Sequence, residues 1–253
     1  MDDAATFIII HRPLQPKSQE SPMEEQSTLS PAALATRVLT DPKTAFEAIV
    51  KRPNWLFPIL LSLIVSFSFM YYTQDIQIEY QKKSILESEK IPEEQKDKVL
   101  ENLENPSFFM KTVMPAIGVV ISVFAIPALL AAVLMLFGNF VFGGNATFGT
   151  LFSVSAWAGM VGIVEALIKL PLIVINRSFD IYTSLALLLD PADSKTVVFQ
   201  LANMVDIFTV WKIFVFGTAF AVVYKLSPGK SYGTITALYV VFALIGIRIS
   251  HMF

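Results

Sequence analysis

The chain has 253 residues, 54% of them hydrophobic and only 16% charged, with a formal net charge of −2. A soluble domain carries about 25% charged residues, and a chain with no basic excess has no electrostatic footprint for nucleic acid. With no cysteine and only two histidines, His11 and His251 at opposite ends, disulfides, thiol catalysis and cysteine or histidine metal sites are excluded.

The N-terminus opens Met1-Asp2-Asp3, acidic where a cleavable signal is basic, and the apolar run Phe7 to Ile10 is too short for a signal core. Residues 11–30 are rich in Pro, Ser, Gln and Glu and read as disordered, so 1–29 is taken as a disordered tail ahead of one membrane domain, 30–253. Asp41-Pro42 is a helix start, with Asp as N-cap and Pro in the first turn. Phe46, Ile49 and Val50 then share a face flanked by Lys43, Lys51 and Arg52. Residues 42–52 therefore read as an amphipathic helix lying on the membrane surface.

A first span runs from Trp55 to Tyr72, opened by Trp55 and closed by Tyr71-Tyr72, as amphipathic rings do at headgroup level. Residues 73–111 then hold six Lys and nine Asp or Glu. Pro92 with Glu93 and Glu94 marks a helix start, so one helix before Pro92 and one after it form a hairpin outside the bilayer. Its charge run reads as a solvated face, with a docking surface as the sharper alternative.

Thr112 to Phe142 runs 31 residues without a charged side chain, whereas about 20 apolar helical residues cross a bilayer core. As one helix it measures about 46 Å, which a ~30 Å core accepts only at a tilt near 50°, beyond the usual range. It is expected to break or protrude, at Pro127 or at Gly138-Asn139. Gly143-Gly144-Asn145 lacks the spacing and Lys of a phosphate loop and reads as a tight turn.

The third span, Phe148 to Ile175, carries small residues at helical spacing: Ser155 and Gly159, Ala158 and Gly162, Gly162 and Ala166. Such spacing lets helix backbones approach closely in lipid, which places this span at the centre of a bundle. From Ser194 the helical period puts Val197, Val198, Leu201, Met204, Val205 and Phe208 on one face. That helix is expected to run into span four, Ile207 to Tyr224. Span five is Tyr232 to Ile249. The fold class is all-α, a polytopic membrane bundle of five transmembrane helices. Lys51, Arg52, Lys225 and Lys230 lie next to the spans on the N-terminal side and favour a cytoplasmic N-terminus.

Ionisable residues inside spans are costly, about 2.5–3.5 kcal/mol each at the bilayer centre, and mark candidate sites. Glu165 and Lys169 lie at i, i+4 with Glu first, the favourable order for a pair. The pair either fixes helix packing or lines a polar cavity for an ion, proton or headgroup. Lys212 is expected to snorkel to the surface. Trp55, Asp206, Trp211, Gly143 and Gly144 are candidate interfacial or packing positions. No nucleophile elbow or paired-histidine motif is present, so no catalytic residue and no cofactor are expected.

Several segments together resemble the Yip family, the Ypt/Rab-interacting membrane domain, in its bacterial form. They are Asp41-Pro42 through Phe46 and Ile49 to Pro53-Asn54-Trp55-Leu56-Phe57-Pro58, then Ile91-Pro92-Glu93-Glu94-Gln95. Gly143-Gly144 with Phe148 and Ser153 to Trp157, and Val205-Asp206-Ile207-Phe208 with Trp211, Gly217, Lys225 and Lys230, complete the pattern over about residues 32–253. The resemblance implies a five-span bundle with a cytoplasmic N-terminus and non-enzymatic membrane work. The Rab binding of eukaryotic members is not carried over. The expected protein is thus a multi-pass scaffold of a bacterial inner membrane, organising lipids or an unidentified membrane or peripheral protein, with a homo-oligomer left open. The alternative is a small transporter or channel using Glu165 and Lys169.

Overall fold

The computed structural model describes residues 30–250 apart from 89, 90, 105, 192, 193 and 195. The tail expected to be disordered, 1–29, lies outside the described residues. The described chain is mainly helical, and five of its helices are long and apolar enough to cross a membrane.

Two short helices come first. In α1 (Pro31–Thr40) the Ser30 side chain caps the helix by accepting from Ala33 N at 3.2 Å. In α2 (Pro42–Lys51) the proline starts the helix, but the Asp41 side chain makes no cap hydrogen bond. Ala45, Phe46 and Ile49 of α2 are completely or almost completely buried, clustered with Trp157, Val161 and Val215. The expectation for this helix is corrected accordingly. Its apolar face is occupied by the chain's own third and fourth spans, near their middles, and is not free for lipid. Only the polar face, with Lys43, Glu47 and Lys51, is exposed.

The first span is part of α3 (Leu56–Glu87), 32 residues without interruption and about 48 Å long. The apolar segment ends near Tyr72, but the helix does not, because residues 73–87 contain no Gly or Pro and abound in good helix formers. The hairpin outside the bilayer is therefore made of the far end of this rod and α4 (Glu93–Glu104), which folds back on it. Trp55 stands at the start of the span as its N-cap residue, as expected, and packs against other spans there. Its ring meets Phe124 and Phe152 edge-on at 6.2 and 5.8 Å, and Phe124 is half-way along the second span, Phe109–Val141.

That second span consists of α5 (Met114–Met135) with a wider π turn at each end, Phe109–Val113 and Leu136–Val141. Pro127 lies inside α5 and does not end it, as prolines in membrane helices often do not. The irregularity falls at Gly138-Asn139, as expected. There Asn139 Nδ2 donates to Ala146 O and Asn139 Oδ1 accepts from Ala146 N, both at 3.0 Å.

The third span is two helices, α6 (Phe148–Ala158) and α7 (Met160–Asn176), with the break at Gly159. It packs on α2, α3 and α5, and Leu151 to Ala158 is buried but for Phe152. Trp157 Nε1 donates to Asn54 O at 2.6 Å and its ring stacks on Phe57, which fixes where α3 begins.

The helix expected to run from Ser194 into span four is two helices, α8 (Val197–Met204) and α9 (Ile207–Tyr224). Asp206 separates them: its side chain caps α9 by accepting from Phe208 N at 2.7 Å, so the backbone must leave the helical path there. On α8 it is Phe199 that is buried, against the Tyr182 ring, while Val197, Val198 and Leu201 are exposed. Last comes α10 (Pro228–Ser250), which lies mainly on α9 and has few buried residues.

Candidate functional site

Charges inside the bundle meet where α7 and α9 run antiparallel. Glu165 and Lys169 stand on successive turns of α7 and bond to each other, Oε1 to Nζ at 2.7 Å. Across the interface Lys212 reaches the other carboxylate oxygen, Oε2, at 2.5 Å. Lys169 also lies 3.7 Å from Asp206 Oδ2 and 5.6 Å above the Phe208 ring. The order is Lys212, Glu165, Lys169, Asp206. Signs alternate and the sum is zero. Each carboxylate oxygen of Glu165 thus has an ammonium partner, the condition under which charges are tolerated away from water.

Asp206 ties this chain of charges to the connection between α7 and α9. It accepts from the Thr183 hydroxyl on one oxygen and from Phe208 N on the other. Around it Leu185 N donates to Val205 O at 3.1 Å and Ser184 forms an isolated antiparallel bridge with Asp206. Nearby, outside the span, Tyr182 donates to Asp180 at 3.3 Å. Burial, and then the Asp180 carboxylate, push its phenol above the usual range, so it stays a protonated donor at neutral pH.

The pair Glu165–Lys169 is therefore together as its spacing requires, and Asp206 joins it. Lys212 does not snorkel: it is the second partner of Glu165. A sequence signal for this existed. Along both α7 and α9 the acid precedes the base, so antiparallel neighbours place acid against base at both ends. The other singled-out positions lie elsewhere. Trp211 packs against the cluster around Phe46 and Val215. Gly143 takes a left-handed turn conformation, φ +71°, which favours glycine. Gly144 donates to Gly138 O at 2.9 Å, and the Tyr224 ring lies against both glycines. Among the described residues no group of three His, Cys, Asp or Glu is placed to hold a metal ion.

The arrangement outside the membrane is equally specific. Lys96, one of the run expected to be a solvated face, is buried. Its ammonium donates to Leu86 O at 3.1 Å, which ties α4 to the end of α3, and pairs within α4 with Glu93 at 2.7 Å. Lys82–Glu104 at 3.2 Å and Arg177–Glu79 at 2.6 Å brace the same arm. Glu94, Asp97, Lys98 and Glu101 remain exposed on its outer side.

The family model described as the Yip1 domain matches residues 36–249. No curated protein and no solved structure matches the chain. With the match covering all five spans, the charged contact of α7 with α9 and the arm of α3 and α4, this chain belongs to the Yip1 domain family.

Proposed function

We propose that this protein is a non-catalytic membrane scaffold that offers the α3–α4 arm to a protein partner with a basic surface. It works in a bacterial inner membrane with α1 and α2 on the cytoplasmic side of the first span. The observation that carries the reading is the arm itself. A helix that continues unbroken out of the apolar segment, braced by the Lys82–Glu104 and Arg177–Glu79 ion pairs and by Lys96 donating to Leu86 O, holds Glu94, Asp97 and Glu101 in a fixed array. A preorganised surface loses little entropy on binding, and acidic groups at its rim select a basic partner and speed encounter. The transporter alternative is the less supported, since both oxygens of Glu165 are engaged by lysines.

A photo-crosslinking residue at Asp97 in the membrane-bound protein is expected to yield a discrete protein adduct. One at lipid-facing Leu129 should yield none. Reversing Glu94, Asp97 and Glu101 to Lys in a protein with the crosslinker at Lys98 should abolish the adduct. An adduct that survives the reversal, or none at positions 97 and 98, sinks the proposal.

The lock at Lys96 makes its own prediction. Lys96→Met removes two hydrogen bonds of a charged donor, each typically about 1.5–3 kcal/mol, while keeping the stem. Hydrogen exchange is expected to quicken throughout α4 by about tenfold or more and to stay unchanged in α5 and α9. Unchanged protection of α4 would mean that Lys96 does not hold the arm.

A further inference from the structure

A cavity of about 710 Å³ lies between α3 and α5, walled by α4 at its outer end and touching Ala166 of α7. Its size is that of a small-molecule site. Along α3 it extends from Ser66 to Gln81, about 22 Å at 1.5 Å per residue. That is the thickness of a single leaflet with its headgroup layer, half of about 40–45 Å.

The cavity changes character along this length. Its inner part is lined by Phe69, Met70, Gly118 and Val119, with Ser66 at its inner end. The hydroxyls of Thr73 and Ser122 in the same walls are turned back to their own helices, on Phe69 O at 2.7 Å and Val119 O at 3.0 Å, so they add no free polar group there. Its outer part is lined by Gln77, Gln81, Asn102 and Lys111. Lys111 is the one charged residue in the lining among the described residues, and its ammonium is 3.9 Å from Asp75, at the far limit of an ion pair. An ammonium has three donors, so this contact leaves it able to take an anionic oxygen.

An elongated cavity, largely apolar inside and amide-rich outside, with the Lys111 cation where the two parts meet at the level of Gln74 and Asp75, fits one chemistry: an anionic phosphate on an acyl chain. We infer that the crevice between α3 and α5 binds one phospholipid of the adjoining leaflet, its phosphate at Lys111 and an acyl chain along Met70 and Val119. The Gln77, Gln81 and Asn102 side chains supply the remaining donors to the headgroup. The inference stands apart from the arm's protein partner, since it concerns the inner side of the arm and not its acidic rim.

Gly118 supplies the test. A Cβ built there meets nothing within 4 Å, so Gly118→Leu fills the cavity without a backbone conflict and removes a helix-weakening glycine. The full chain in nanodiscs of phosphatidylethanolamine and phosphatidylglycerol receives a trace of phosphatidylglycerol with a diazirine in its acyl chain. After photolysis the label is expected on residues 66–81 and 111–122. Gly118→Leu should lower it there about tenfold or more and leave labelling of α10 as it was. Met70→Trp, which fills the cavity from the opposite wall, should do the same and serves if the first variant fails to fold. A diazirine diacylglycerol without phosphate should label the site weakly and be indifferent to Lys111→Gln, whereas that substitution should weaken labelling by the phospholipid. Excess inorganic phosphate should not displace the lipid, and displacement would mean a free-phosphate site. Equal labelling of the wild type and both filled variants, or equal labelling by the probe lacking phosphate, overturns the inference.

Discussion

Glu165→Gln is expected to destabilise the protein by up to about 3–5 kcal/mol, the cost of removing one partner from a fully buried ion pair, since the carboxylate is one-fifth exposed. The substitution keeps size and shape, so the loss is electrostatic. It leaves Lys169 and Lys212, which now approach the same carboxylate at 2.7 and 2.5 Å, as two cations facing a neutral amide. Lys169 retains Asp206, but only at 3.7 Å. Lys212 is the more exposed of the two lysines and can turn towards the surface along its stem. Lys212→Met should therefore cost less than Glu165→Gln, because Glu165 keeps Lys169 at 2.7 Å and no cation is left without its carboxylate.

The double variant Glu165→Gln with Lys212→Met should recover part of the loss, since it removes one of the two stranded cations. Thermal unfolding in one detergent checks all three. At about 2–4 °C per kcal/mol for a chain of this size, Glu165→Gln should unfold up to some 6–20 °C earlier. Additive effects of the two substitutions would show that the residues do not act as a pair. The same variants in liposomes decide between scaffold and transporter. An intact Glu165→Gln protein that abolishes an ion or solute leak seen with the wild type would return the transporter reading to first place.

Gly138→Ala is expected to be the most damaging single-methyl change, while Gly118→Ala is neutral or stabilising. A Cβ at Gly138 would fall on the Tyr224 ring, far inside van der Waals contact. The ring cannot simply move aside. Its hydroxyl donates to Asn139 Oδ1 at 3.0 Å and to Leu134 O at 3.3 Å, its centroid is 4.9 Å from that of Phe220, and Gly144 stands against it as well. Relief therefore means breaking the seat of α9 on the second span. Overpacking of this kind costs about 1–3 kcal/mol and sometimes more.

At Gly118 there is open space, and alanine gains about 0.8–1 kcal/mol of helix propensity. The two glycines lie in the same span, so opposite signs test the packing and not the composition. Gly138→Ala combined with Tyr224→Ala should be closer to Tyr224→Ala alone than addition of the single effects would give. A Gly138→Ala protein that unfolds with the wild type would show that Tyr224 does not sit where the structure places it.

The charge-free run of 31 residues and four further apolar segments dictate five spans, because only a helix satisfies its own backbone in lipid and about 20 residues set its length. The i, i+4 spacing of Glu165 and Lys169 likewise gave their pairing, which a single helix decides. The exit of α3 from the apolar segment was hidden because helix propensity and hydropathy are separate properties: apolarity ended at Tyr72 while helix formers went on to Glu87. What the tertiary structure alone decided are the contacts between distant segments. The apolar face of α2 could meet lipid or protein, which are equally apolar, and nothing local distinguishes them. The partner of Lys212 lies 47 residues away, and Lys96 looks like its solvated neighbours until α4 is folded on α3. Composition fixed which segments enter the membrane. Which of their faces meet, and so which charges are paired and which glycines are closed by a ring, was fixed by packing.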